Sequence, residues 1–443
     1  MHPLSIFNFS MRKNINITFL FIVLFCLIKT NTFSQSDSCF VDTLRHDENI
    51  IENIEALQNF YMKLNSHLEN PKQISILHLG DSHIEMGYFV EEVRSCFKVN
   101  FGLAGFGMLF PYQLAKSIPY FVQTKSTKGS WEGKCYLKSE SDYKFGLAGF
   151  TIKTQNNEAE FEMQALKCDT SIISGNKVVV YYSSNEASTI KVCGMNYPAD
   201  SISKLDPVEI ESEKIVVDDF QYRKTTFYFN QPINKLIFSV SQSIDSIPFF
   251  ISGIQLTNHE QPGIVYHNCG VVGATFKQLS KNASLSISQM LDINPDLIIF
   301  SYGSNEAYEP DFISNDYYLA VTDYIQRVKK TLPKAAIILT TPPDTRSNGR
   351  FPINNLEICN VLKQVAKEQN LALWNLHDQM GGAGSMIKWF NKGLASKDKL
   401  HFKKIGYELQ AKMFMYALLN GFKKFNNLNK DLIIPAYSDF YKN

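Results

Sequence analysis

The chain has 443 residues, 44% of them hydrophobic and 13% aromatic, enough to bury a sizeable core and too apolar for a disordered or low-complexity chain. Lys and Arg total 44 against 43 Asp and Glu, a formal charge of +1 with no basic run, which argues against nucleic acid as the main partner. Eight cysteines are scattered without a C-x-x-C pair, so neither a zinc site nor a disulfide framework is indicated, and no metal or cofactor is expected.

The first element in chain order is a leader. Arg12 and Lys13 precede an apolar run over 15–28, and the small residues Thr32 and Ser34 stand two apart just before Gln35. This is the order of a signal peptide cut near Ser34, and the run falls short of the ~20 residues a transmembrane helix needs. A secreted or periplasmic protein with no membrane span after signal removal is expected. In that compartment one bridge, such as Cys168 with Cys193, remains open.

Residues 51–68 carry Ile54, Leu57, Phe60, Tyr61 and Leu64 at helical spacing. A short apolar run, Ile74 to Leu79, then stops at Gly80-Asp81-Ser82-His83. With Pro71 before it and Gly80 after it, the run reads as a buried strand, whose carboxyl end is where open α/β sheets place ligand chemistry. Ser82 is there either as a helix cap or as a free hydroxyl. Phe89, Val90, Val93 and Phe97 mark a helix over 86–97. The glycine-rich 102–107 reads as a loop; it neither directly follows a strand nor opens a regular helix, which excludes a dinucleotide fingerprint.

From about 117 to 262 helical periodicity gives way to short runs rich in Val, Ile, Phe and Tyr: 149–154, 159–165, 177–182, 189–193, 214–217, 225–229, 235–240 and 249–257. This texture predicts a β-sandwich or jelly roll. Trp131, Tyr181, Tyr182 and Tyr228 are candidates for a sugar-stacking surface, with core packing as the alternative. The α/β alternation returns at Gly263, with strands over 264–267, 296–302, 335–341 and 371–376. Helices are expected over 317–332, with Leu319, Tyr324, Ile325 and Val328 on one face, over 355–369 and over 403–419. The organisation expected is a signal peptide (1–34), a first α/β part (35–116), an inserted β-sandwich (117–262), a second α/β part (263–422) and a C-terminal tail (423–443).

Polar stops fall at the carboxyl ends of these strands or just past the last one: Ser82, Gly273, Asn305 and the pair Asp398 and His401. Asp398 and His401, three residues apart, allow the carboxylate to accept from the imidazole Nδ1 and leave Nε2 free to take a serine proton. His83 and His377 are the competing bases. An oxyanion hole can be built from the N–H groups of Ser82 and Gly273 and the Asn305 amide, and each such donor is typically worth ~3–4 kcal/mol of barrier.

Gly80-Asp81-Ser82-His83, Gly273, Gly303-x-Asn305 and Asp398-x-x-His401 resemble the four blocks of the SGNH (GDSL-type) hydrolase superfamily. The resemblance implies a three-layer α/β/α flavodoxin-like domain with the catalytic residues Ser82, Asp398 and His401, the oxyanion donors Ser82, Gly273 and Asn305, and no cofactor. The Gly-Asp-Ser-His variant, Gly105-Phe106-Gly107 with Pro111-Tyr112, and the inserted β domain look like the peptidoglycan O-acetylesterase branch. That branch implies an O-acetylated glycan as partner, acetylated at C6 of N-acetylmuramic acid, and an insertion resembling a carbohydrate-binding module. Glu306 departs from the Asp that commonly follows the Asn. Other readings are an acetyl esterase on another polysaccharide such as xylan, an O-acetyltransferase and a non-catalytic glycan-binding protein.

Overall fold

The computed structural model describes residues 48–117, 121–137, 142–165, 174–196, 204–242, 247–347, 349–426 and 432–437. The expected leader and Cys168 lie outside the described residues. Cys193 is a free thiol whose Sγ donates to Asp206 Oδ1 at 3.3 Å, so the bridge left open for it is not formed.

Helix α1 (Gln58–Glu69) leads into strand β1 (Gln73–Gly80), which ends at the short helix α2 (Ser82–Glu85) and then α3 (Tyr88–Phe101). After the insertion come β2 (Gly263–Gly270), helices α4 (Phe276–Lys281) and α5 (Ala283–Ile293), β3 (Leu297–Ser301), α6 (Ser314–Thr331), β4 (Ala336–Thr340), α7 (Asn355–Glu368), β5 (Ala372–Trp374) and the closing α8 (Lys404–Phe425). Among the described residues the strands form one parallel sheet in the order β2-β1-β3-β4-β5. The chain reverses its direction of travel between β1 and β3, and in such sheets a crevice opens at the carboxyl ends of the strands at that point.

The alternation of side chains along each strand explains the three layers. Ile74 and Ile76 of β1, Leu297 and Ile299 of β3 and Ile338 of β4 pack under α1, α3 and α8. Leu77, Leu79, Ile298, Phe300, Ile337 and Leu339 face the other way, onto α4 to α7. The expected α/β architecture is therefore present. On α6 the inward residues are Tyr317, Val321, Tyr324, Ile325 and Val328, whereas Leu319, one of the four residues expected on that face, points to solvent.

The inserted region is two antiparallel sheets. One, in sheet order, pairs Glu132–Cys135, Phe150–Thr154, Phe249–Thr257, Gly175–Ser183, Phe220–Ile233 and Glu209–Val217, with Gly105–Leu109 also on Phe249–Thr257. The other orders Val122–Lys128, Glu158–Ala165, Lys235–Ser241 and Thr189–Met195. The glycine-rich run near 105 thus joins the β region as a strand rather than a loop. Phe161 and Phe238 stack between paired strands at 4.8 Å, and the apolar cluster they belong to continues into Phe276, Tyr302 and Tyr324 of the α/β part. Among the described residues two large cores form, divided by the parallel sheet and not by the boundary between the insertion and the α/β part, with a small third cluster of Val179, Tyr181, Tyr222 and Leu285.

This packing overturns half of the expected aromatic surface. Tyr181 is buried with its hydroxyl donating to Asp292, and Tyr182 is buried and stacked on Phe249 at 5.0 Å. Trp131 and Tyr228 stay half-buried, Trp131 with its edge against Phe161 and Tyr228 with its hydroxyl on Glu211 at 3.0 Å.

Candidate active site

At the end of β1 the chain turns within a single residue. A side chain on Gly80 would place its Cβ 2.4 Å from Ile84 Cγ1 and 2.9 Å from the Ser301 carbonyl, so only glycine fits between β1, α2 and β3. The helix cap is Asp81, not Ser82: Asp81 Oδ1 accepts from the His83 N–H at 2.9 Å. Ser82 therefore keeps its hydroxyl for other partners. Its Oγ lies 3.0 Å from His401 Nε2, and His401 Nδ1 lies 2.8 Å from Asp398 Oδ2. Asp398 Oδ1 accepts from the N–H groups of Leu400 and His401 at 3.0 and 3.1 Å, which fixes the carboxylate on the same turn as the imidazole. Burial resists ionisation of Asp398, but the bonds from the His401 ring and these two N–H groups outweigh it and hold the carboxyl below its usual range.

Ser82 is 8% exposed, while the His401 and Asp398 side chains are 26% and 49% exposed, so a substrate can reach the set from solvent. The competing histidines are held elsewhere. His377 Nδ1 lies 3.0 Å from Asp378 Oδ1. His83 lies behind the site with Nδ1 3.0 Å from the Tyr407 hydroxyl and its ring 5.5 Å from that of His401. Burial, and then the charge of His401, push His83 down to about 3, which leaves its imidazole too weak a base to take the Ser82 proton.

The turn after β2 carries Gly273, whose φ of +81° lies in the left-handed region that favours glycine. A Cβ there would meet only Leu137 Cδ1 at 3.2 Å. Backbone conformation, rather than room for an approaching oxygen, is thus the stronger reason for glycine. Four contacts hold the turn. Val271 N–H donates to the Gly80 carbonyl at 3.0 Å, and Val272 N–H donates to the Glu85 carboxylate. Asn305 Nδ2 donates to the Ala274 carbonyl at 2.9 Å, and Phe276 N–H donates to Glu306 Oε1 at 2.8 Å. The structure thus brings Gly273 and Asn305 together beyond β2 and β3, beside the strand that delivers Ser82.

Glu85 and Glu306 were not found as site residues from the sequence. Glu85 sits one turn after Ser82 in α2, and only the fold shows that its carboxylate also receives the Ser117 hydroxyl. Glu306 adjoins Asn305, but its partner Phe276 is thirty residues away in sequence. Burial, helped by the charges of Asp81 and Glu309 and opposed by backbone donors, pushes Glu306 up to about 8 from 4.5. Between those values the native state keeps a proton that the unfolded chain has lost, so stability falls as pH rises, by up to ~1.4 kcal/mol per pH unit. Glu306→Gln preserves the acceptor for Phe276 and removes the titration. Denaturation at pH ~5 and pH ~8 is expected to show a smaller loss of stability on the alkaline side in the variant than in the wild type.

Residues 255–409 match the model of the GDSL-like lipase/acylhydrolase family. That stretch contains Gly273, Asn305, Asp398 and His401, and Ser82 lies before it. The chain is similar in structure to a peptidoglycan O-acetylesterase, at 21% identity over 83% of this chain and 96% of that one, with a TM-score of 0.63, a likeness of fold. A lipase/acylhydrolase from Enterococcus faecalis is 22% identical over 34% of this chain and 74% of its own, with a TM-score of 0.27. No curated protein matches.

Proposed function

We propose that this chain, which carries a GDSL-like acylhydrolase domain of the SGNH hydrolase superfamily and is a carboxylic ester hydrolase, removes O-acetyl groups from a cell-wall glycan outside the cytoplasm, with O-acetylated peptidoglycan as substrate, through an acetyl-Ser82 intermediate. The observation that carries the mechanism is the continuous line from Ser82 Oγ through His401 to Asp398, with heavy-atom distances of 3.0 and 2.8 Å.

In this reading His401 Nε2 takes the Ser82 proton as Oγ attacks the acetyl carbonyl carbon. Asp398 orients the ring and stabilises the imidazolium. The carbonyl oxygen, now an oxyanion, lies among the N–H groups of Ser82 and Gly273 and the Asn305 amide. No hydrogen bond among the described residues occupies those two N–H groups, and the Asn305 amide has a second hydrogen besides the one given to Ala274. The sugar hydroxyl leaves with the proton from His401. Water, deprotonated by the same nitrogen, then attacks the acetyl-serine carbonyl; the bond from that carbon to Oγ breaks, His401 returns the proton to Ser82 Oγ, and acetate is released.

Asn305→Ala is expected to lower kcat by about 10²–10³-fold, as for a lost oxyanion donor, with little change in KM. Steady-state hydrolysis of an acetyl ester measures it. A pure rise in KM would instead make Asn305 a ground-state binding group.

The peptidoglycan assignment is supported by the fold-level likeness to a peptidoglycan O-acetylesterase over 83% of this chain, insertion included. Acetate release from O-acetylated peptidoglycan, compared with acetylated xylan, tests it. Release from peptidoglycan is expected; release from xylan alone would keep the chemistry and replace the substrate. An acetylated sugar acceptor formed in place of free acetate would make the enzyme a transferase.

A further inference from the structure

A groove of about 600 Å³ runs between the α/β part and the inserted sheets, within the range in which clefts hold small ligands. Ser82, Gly273, Asn305, Asp398 and His401 do not line it, but it lies beside the turn that carries Gly273. Val271 and Val272, immediately before Gly273, form one wall together with Glu85, one helical turn beyond Ser82. It continues along Leu114–Ser117 to Trp131, Glu132, Lys134, Cys135 and Phe150 of the insertion.

Its chemistry is amphipathic. Leu114, Ala115, Val271, Phe150 and the half-buried Trp131 supply apolar surface. Polar groups line the same cleft: the Lys116 ammonium, the Ser117 hydroxyl, and the Glu132 carboxylate 3.1 Å from Lys134 Nζ. Lys116 is exposed and makes no ion pair among the described residues; a left-handed φ of +59° sets it at the end of the turn Tyr112–Ala115. A pyranose has this mixture: C–H faces that pack on apolar side chains, and a rim of hydroxyls that needs charged and polar partners. Neither a wholly apolar acyl chain nor a polyanion matches those walls.

We propose that this groove binds the stretch of glycan flanking the acetylated sugar, so that the insertion and the α/β part together hold one polysaccharide strand across the oxyanion turn. The inference rests on the esterase reading of Ser82 and adds the subsite that selects polymer over a simple ester. Through its bonds to Val272 N–H and the Ser117 hydroxyl, Glu85 links the groove wall to the turn that carries Gly273.

Cys135, a half-buried free thiol lining the groove, gives a test that leaves the fold intact. The full chain is treated with a bulky methanethiosulfonate reagent, and the labelling rate of the Cys135 peptide is followed by mass spectrometry. This is done with and without soluble O-acetylated peptidoglycan fragments. The fragments are expected to slow labelling of Cys135 at least several-fold. Labelled wild-type protein should lose activity on O-acetylated peptidoglycan at least tenfold more than on para-nitrophenyl acetate, and Cys135→Ser should abolish that sensitivity. Unprotected Cys135, or equal loss on both substrates, overturns the groove assignment even where acetate is still released. Protection without any ester hydrolysis would leave the groove standing and refute the esterase reading instead.

Discussion

Replacing Ser82 with alanine is expected to lower kcat for acetyl-ester hydrolysis by roughly 10⁴–10⁶-fold, leaving only the residual rate that oxyanion donors and substrate binding provide. The size follows from the division of labour in the site. Without Oγ there is no acyl-enzyme, and His401 and Asp398 lose the group they activate, so the three act as one unit. The fold should not be the cause of the loss. Asp81, not Ser82, caps α2, and the change removes one oxygen whose partner, His401, is about a quarter exposed. Initial rates on para-nitrophenyl acetate, with denaturation midpoints measured alongside, separate the two effects. A fall of less than about tenfold at unchanged stability would move the nucleophile elsewhere.

Asp398→Asn carries the second large effect, about 10⁴-fold in kcat, as for the loss of the carboxylate in comparable triads. Asparagine can still accept the N–H groups of Leu400 and His401 through its carbonyl oxygen, so the turn survives. What changes is the tautomer. The Asp398 carboxylate accepts the Nδ1 proton and leaves Nε2 bare towards Ser82. An asparagine NH₂ presented at the same place favours a proton on Nε2, and the serine then has no base. Because Asp398 is half-exposed and its pair with His401 stands near solvent, the stability cost should stay within ~1 kcal/mol. A rate loss matched by a comparable loss of folding would make Asp398 structural rather than catalytic.

How far the sequence carries differs by element. The parallel sheet was legible because buried strands such as Ile74–Leu79 and Leu297–Phe300 are mostly apolar on both faces and end at glycine or polar stops. The candidate triad was legible because Asp398 and His401 share one turn, so their contact is local, and Ser82 follows a strand whose end could be read. The two strands missed in the insertion, Val122–Lys128 and Glu132–Cys135, are polar on one or both faces and break the apolar alternation that marks a strand. Gly105–Leu109 was read as a loop since its glycines hide a pairing made with Phe249–Thr257, far along the chain. Tyr181 and Tyr182 were open to two readings because an aromatic at a strand position looks the same whether it faces a sugar or another sheet. Glu85 and Glu306 were out of reach for a different reason: each is defined by one backbone N–H brought to it by the fold, and no spacing encodes that.

The most direct test of the central claim is active-site labelling with a phosphonofluoridate, which reacts with a serine activated by a neighbouring base. Peptide mapping of the labelled wild-type chain should place a single adduct on Ser82, with ester hydrolysis lost in proportion to labelling. Formation of that adduct should be strongly slowed in Asp398→Asn. An adduct on another residue that accounts for the loss of activity, or full hydrolysis by protein labelled on Ser82, would contradict the account.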